Sequence, residues 1–219
     1  MTFNKQHSIA IPSGTNLLDG LLYIPQQASG LVLFVHGSGS SRFSKRNQFV
    51  AQYLNEANLA TLLFDLLTPA EDRIDNVTRE FRFDIGLLAS RLIDVTQWCL
   101  NQPALQKLNI GYFGASTGGG AALVAAAALP DAVHAVVSRG GRPDLAATAL
   151  SQVVAPTLLI VGGLDEVVIG LNQAAMSQMH STKQLEIVPG ATHLFEEPGT
   201  LTEVARLARA WFLNYLPKA

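Results

Sequence analysis

Gly114-Ala115-Ser116-Thr117-Gly118 follows a short apolar run, Leu108-Asn109-Ile110-Gly111-Tyr112-Phe113, and precedes an alanine-rich stretch. A strand, then G-x-S-x-G, then a helix marks a turn so sharp that the central serine is strained, with its hydroxyl thrust above a sheet edge. Glycine at positions 114 and 118 removes side chains that would collide across such a turn. A serine hydroxyl is a weak nucleophile at neutral pH until an imidazole takes its proton. Two further groups stand just beyond apolar runs downstream: Asp165 in Val161-Gly162-Gly163-Leu164-Asp165, and His193 in Pro189-Gly190-Ala191-Thr192-His193. A neutral histidine can accept the serine proton and return it to a leaving group. An aspartate can hold that imidazole in the useful tautomer and stabilise the imidazolium. The chemistry implied is acyl transfer, with Ser116 as nucleophile, His193 as base and Asp165 as its orienting acid.

Each residue also has a plain reading. Asp165 is placed to cap a helix over 167–179, His193 could be an ordinary loop histidine, and Glu166 is a rival acid beside Asp165. The Gly-Gly-Leu-Asp turn favours residue 165 over its neighbour. Acyl transfer further requires N–H donors for the developing oxyanion, one of them on the residue after the nucleophile, here Thr117. The second is assigned to Ser38 in His36-Gly37-Ser38-Gly39-Ser40, where small residues let backbone amides approach a substrate oxygen. His36 itself reads as structural. The same loop lacks the third glycine of G-x-G-x-x-G, because position 42 is Arg, and it has no Gly-Lys-Ser/Thr ending, so a phosphate-binding turn is disfavoured. Arg139, with Arg42 or Arg82, is the one hint about substrate: arginine forks bind carboxylates. The competing reading is loop ion pairs to Asp84, Asp144 or Glu166.

These residues need a scaffold, and the hydrophobic pattern supplies one. Two strands flank Pro12-Ser13-Gly14 between His7 and Pro25. Strands are then expected at 31–35, 59–67, 108–113, 133–137, 157–161 and 184–188. Helices are expected at 47–58, 84–100, 119–129, near 145–150, at 167–179 and at 200–215. An antiparallel start followed by repeated βα units implies an α/β fold with about eight strands, mostly parallel, and helices on both faces. The stretch between strands 133–137 and 157–161 has room for one short helix and no lid domain. In such sheets the chemistry gathers at the carboxyl ends of the strands, where Ser116, Asp165 and His193 all fall.

The chain has 219 residues, which fits a single domain over 1–219. Its 48% hydrophobic content suits a buried parallel sheet, and a net charge of −2 disfavours a nucleic-acid partner. The single cysteine, Cys99, reads as a buried, inert thiol on a helix. The polar N-terminus lacks a signal peptide's apolar core, and the apolar stretch from Ala121 to Val137 is broken by Pro130, Asp131 and His134. A cytoplasmic protein without membrane association, monomeric or homodimeric, is expected. His7, His36, His134, His180 and His193 include no pair at helical metal-ligand spacing, so no metal is expected.

On His36-Gly37-Ser38-Gly39, Gly114-Ala115-Ser116-Thr117-Gly118, Gly163-Leu164-Asp165 and Gly190-Ala191-Thr192-His193, the chain resembles the α/β-hydrolase superfamily, and within it the dienelactone hydrolase family. The resemblance implies the α/β-hydrolase fold and cofactor-free hydrolysis of a small ester or lactone through an acyl-enzyme. The chain departs from that family's usual pattern in carrying Ser116 where cysteine is the familiar nucleophile. It is also similar to a hydrolase module sometimes fused to phosphoribosyltransferases, in runs such as Arg79-Glu80-Phe81-Arg82-Phe83-Asp84 and Ser138-Arg139-Gly140-Gly141-Arg142-Pro143-Asp144. Two alternatives stay open: a thioesterase or acyl-peptide hydrolase using the same three residues, and a non-catalytic binding scaffold.

Overall fold

A computed structural model describes residues 2–217. Eight strands form one sheet: β1 (Gln6–Ser13), β2 (Asn16–Tyr23), β3 (Gly30–Val35), β4 (Leu59–Phe64), β5 (Ile110–Ala115), β6 (Val133–Arg139), β7 (Thr157–Gly162) and β8 (Lys183–Val188), in the spatial order β1-β2-β4-β3-β5-β6-β7-β8. β1 and β2 form an antiparallel hairpin turning at Gly14, whose φ of 56° suits glycine. β2 also runs antiparallel to β4, and every later pairing is parallel. The five strands β3 to β7 are buried along their whole length, except at His134 of β6, because helices cover both faces.

α1 (Lys45–Asn55) and α6 (Thr200–Tyr215) pack on one face, over Val32, Phe34, Phe113, Val137 and Ile160. α3 (Ile85–Leu100), α4 (Thr117–Ala128) and α5 (Glu166–Gln178) lie on the other. α4 has no polar side because it is the central helix, enclosed by the sheet, α3 and the 3₁₀ segment Pro143–Gln152. Its small residues permit that closeness: a Cβ on Gly119 would stand 2.6 Å from Ser138 Oγ, and one on Gly120 2.8 Å from the Arg142 carbonyl. Cys99 is fully buried on α3, and burial pushes its thiol far above the usual range.

Between the strand expected at 59–67 and the helix expected at 84–100 the structure adds α2 (Pro69–Thr78). Its start was written in the sequence: Thr68 accepts from the Glu71 N–H, Glu71 accepts from the Thr68 N–H, and Pro69 opens the first turn. The segment near 145–150 is 3₁₀ and not regular α-helix, broken where Ala147 adopts φ 45° and ψ −123°. The connection from β6 to β7 contains only that segment and its loops. Among the described residues no helix is long and apolar enough to cross a membrane.

Candidate active site

Parallel pairing in register brings the carboxyl ends of β3, β5, β6, β7 and β8 to one edge: Val35 faces Gly114, Ala115 faces Arg139, and Gly162 faces Val188. The residues singled out in sequence follow directly after these ends. Ser116 follows β5 with φ 52° and ψ −122°, a conformation that costs a non-glycine residue about 1–3 kcal/mol and must be imposed by its surroundings. Those surroundings are visible. The Ser116 N–H donates to the Arg139 carbonyl (3.2 Å), and the Ser116 carbonyl accepts from the N–H groups of Gly119 (2.9 Å) and Arg142 (3.0 Å). A Cβ on Gly114 would lie 2.6 Å from the Gly118 carbonyl, and one on Gly118 would lie 2.6 Å from the His36 carbonyl and overlap that of Val35. Both glycines of G-x-S-x-G are therefore required by backbone proximity, as the sequence pattern implied. Ser116 occupies the N-cap position of α4 but its side chain caps nothing, leaving Oγ free at the positive end of the helix dipole.

Asp165 stands at the N-cap of α5, where an aspartate would ordinarily accept an N–H of the first turn. It makes no such bond. Its Oδ2 accepts instead from His193 Nδ1 at 2.6 Å, with the Asp165 side chain 16% and the His193 side chain 38% exposed. This fixes the tautomer that leaves Nε2 to accept a proton. The rival acid, Glu166, is exposed and makes no bond to the imidazole. Close backbone approach again explains how residues 28 apart meet. The loop after β8 lies directly against the end of β7, since a Cβ on Gly162 would overlap the Ala191 carbonyl and lie 2.6 Å from that of Thr192. The Leu164 N–H donates to Ala191 O (2.9 Å), and Glu197 accepts from the N–H and the hydroxyl of Thr192, immediately before His193.

His193 and Ser116 flank the same short segment. Gly140, at φ 51°, faces the histidine: a Cβ there would lie 3.6 Å from His193 Cε1, while Arg139 and Arg142 on either side bond the Ser116 backbone. Ser116 Oγ makes no direct hydrogen bond to the imidazole; such bonds often tighten only when substrate fills the site.

The loop after β3 meets this corner. A Cβ on Gly37 would stand 3.1 Å from Ser116 Cβ, and Ser38 Oγ lies 3.0 Å from Thr117 Oγ1. The two residues expected to donate backbone N–H groups are thus neighbours, and the Thr117 N–H belongs to the first turn of α4, whose amides have no partner within the helix. His36 is buried. Its Nε2 accepts from the Leu66 N–H (3.0 Å) and its Nδ1 donates to the Gly37 carbonyl (2.9 Å), so it ties the β3 loop to the β4 loop. Burial keeps its pKa below the ordinary value of 6.5, against the opposing pull of Gly37 O and Asp65.

The three arginines go separate ways. Arg42 bonds Asp65 and lies 3.4 Å from Asp19; Arg82 Nε donates to Asp75 Oδ2 at 2.6 Å. Ion pairing thus holds both, through carboxylates other than the Asp84, Asp144 and Glu166 considered from sequence. Asp75 is buried, and burial alone would raise its pKa; the Arg82 N–H, the Arg82 guanidinium and the Phe81 N–H outweigh this and hold it below the usual value. Arg139 is buried and pairs with no carboxylate among the described residues. A cavity of about 180 Å³ opens beside the β3 loop, between Gly37–Ser41, Leu66, Leu67, Pro69, Leu88 and Arg82. Its far wall is α2. The described residues hold no cluster of three or more His, Cys, Asp or Glu able to bind a metal ion.

The dienelactone hydrolase family profile matches residues 19–214, nearly the whole chain. The chain belongs to the dienelactone hydrolase family. The crystal structure of a dienelactone hydrolase from Anabaena variabilis is 59% identical, with a TM-score of 0.96 over 97% of this chain and 98% of that one. Est1E from Butyrivibrio proteoclasticus shares the fold at 18% identity, with a TM-score of 0.78 over 94% and 98% of the two chains. Curated relatives from two Mycobacterium tuberculosis strains, provisionally named phosphoribosyl transferases, are 58% identical over 212 residues, which is 97% of this chain. The chain spans about half the length of those relatives, 47%. Family and fold are those of the α/β hydrolases.

Proposed function

We propose that this hydrolase cleaves a small carboxylic ester or lactone through an acyl-enzyme on Ser116. The reading rests above all on Asp165: at a helix N-cap it forgoes capping and bonds His193 Nδ1, at the same sheet edge where Ser116 is strained. In the forward step, Ser116 Oγ attacks the carbonyl carbon as its proton passes to His193 Nε2. The oxygen that gains charge is held by the Thr117 and Ser38 N–H groups, each worth about 10²–10³ in turnover. The tetrahedral adduct collapses, the carbon–oxygen ester bond breaks, and the leaving alkoxide takes the proton from the imidazolium. Water then repeats the sequence on the acyl-enzyme, releasing the acid and restoring Ser116.

The cavity beside the β3 loop fits one side of such a substrate. At about 180 Å³ it is smaller than pockets that engulf drug-sized ligands, and Leu66, Leu67, Pro69 and Leu88 make much of it apolar. Arg82, clamped by Asp75, forms part of its wall, and Arg42 supports the same loop through Asp65. We assign the transferase name of the mycobacterial relatives to the part of them outside the match, since the glycine-rich loop here packs on Ser116.

The test is a fluorophosphonate probe followed by peptide mass spectrometry. An adduct on Ser116, absent from Ser116→Ala, is expected; folded protein that stays unlabelled by this probe and by smaller phosphonylating reagents would overturn the reading. Ester, lactone and thioester panels then separate the substrate classes.

A further inference from the structure

Arg139 is the last residue of β6, and its carbonyl receives the Ser116 N–H. Its side chain is turned to the α1/α6 face, where it is 7% exposed and its guanidinium carbon lies 6.0 Å from the centre of the Phe195 ring. Both Nε and Nη1 are buried without any hydrogen-bond partner. Leaving donors of a charged group unpaired at such depth is strongly unfavourable, so such groups are ordinarily paired. Instead of an acid, the neighbouring charge is another cation. Arg46, from the first turn of α1, has its own Nε buried and unpartnered, and only its Nη1 is engaged, by the exposed Glu196 at 2.9 Å. Burial and this second cation bring the Arg139 pKa down to about 10, which still leaves it charged at neutral pH.

A buried cation without a counter-ion, Arg139, beside a partly exposed one that is paired only through Nη1, Arg46, on segments that meet beside His193, forms a site suited to an anion. Arg139 comes from the end of β6, Arg46 from α1, and Phe195 from the histidine loop, two residues past His193 and at φ 56°. We propose that Arg139 and Arg46 form a subsite for a single oxyanion group, a carboxylate or a phosphate, at the margin of the Ser116–His193 site. A guanidinium offers such a group two parallel N–H bonds, and Phe195 shields them from water. The occupant is either the anionic end of the substrate or a free anion that ties the histidine loop to α1. Only the kinetic arm of the test rests on the ester-hydrolase reading.

Binding is measured by calorimetry on the Ser116→Ala protein, titrated with inorganic phosphate and separately with acetate. This arm needs no catalysis, so its failure is distinct from a failure of Ser116 to react with a fluorophosphonate. Saturable binding with Kd of about 1 mM is expected, weakened about tenfold or more by Arg139→Gln and also weakened by Arg46→Gln. In the kinetic arm, the p-nitrophenyl monoester of glutaric acid is compared with p-nitrophenyl butyrate. If Arg139→Gln lowers kcat/KM for the acidic ester about tenfold more than for the neutral one, the occupant is the substrate's own anion, whether or not phosphate binds. Arginine-dependent binding with equal kinetic effects on both esters identifies a free anion. Equal kinetic effects on the two esters, together with no binding or with binding untouched by either arginine variant, overturn the proposal. Arg46 is partly exposed, so Arg46→Gln decides the matter should Arg139→Gln fail to fold.

Discussion

Gly162→Ala isolates how the histidine is delivered to the acid. Nothing about Gly162 is chemical, and its φ is not one that demands glycine, so its role is one of space. The added Cβ would overlap the Ala191 carbonyl oxygen and lie 2.6 Å from that of Thr192, directly before His193. A carbon against a carbonyl oxygen settles at about 3.3 Å or more, so the histidine loop must retreat by roughly 0.7–0.9 Å. The Asp165–His193 bond, now 2.6 Å, would then pass the limit of about 3.2 Å for a good N–H···O bond. Misplacing a catalytic group by about 1 Å costs on the order of 10² in rate. The expected result is a fall in kcat of about a hundredfold with KM nearly unchanged, and fluorophosphonate labelling of Ser116 slowed by the same factor. Overpacking should cost only about 1–3 kcal/mol, a few degrees in Tm. Gly163→Ala gives a graded comparison, since its Cβ would meet Val188 O at 3.1 Å and should cost far less. Wild-type labelling and turnover in a folded Gly162→Ala protein would refute the idea that this contact seats His193.

Three further outcomes follow from the same geometry. Asp165→Asn should lower kcat by about 10³–10⁴ by presenting the wrong imidazole tautomer, whereas Glu166→Gln should stay near wild type; the reverse order in steady-state assays would reassign the acid. His36 has a folded-state pKa below its unfolded value of 6.5, so the unfolded chain binds the proton more readily. The stability it contributes is complete above pH 6.5 and declines as pH falls toward the folded value; in urea titrations across pH 5–7, His36→Gln should lose that part of the slope. Asp75 is likewise depressed, so its contribution is full above its unfolded value of 3.8 and is lost as pH falls through the lower folded value. Asp75→Asn should destabilise the protein by about 2 kcal/mol at pH 7, and the gap to wild type should close in strong acid.

The sequence determined more than the fold class. The order of apolar runs required parallel βα units after a hairpin, and the G-x-S-x-G glycines required an elbow, because both are local consequences of burial period and backbone sterics. Even α2 was legible, in the Thr68-Pro69-Ala70-Glu71 capping pattern, though its polar composition concealed it in a hydrophobic scan. What local pattern cannot express is pairing across distance. Asp165 looked as much like a helix cap as a catalytic acid until β7 and β8 lay side by side and Gly162 let the histidine loop come against it. Arg42, Arg82 and Arg139 looked alike as loop arginines at the active-site edge. Only the packing of α1, α2 and the loops around them decided that the first two meet aspartates while Arg139 meets another arginine, because counter-ions are chosen by the tertiary neighbourhood and not by neighbours in sequence.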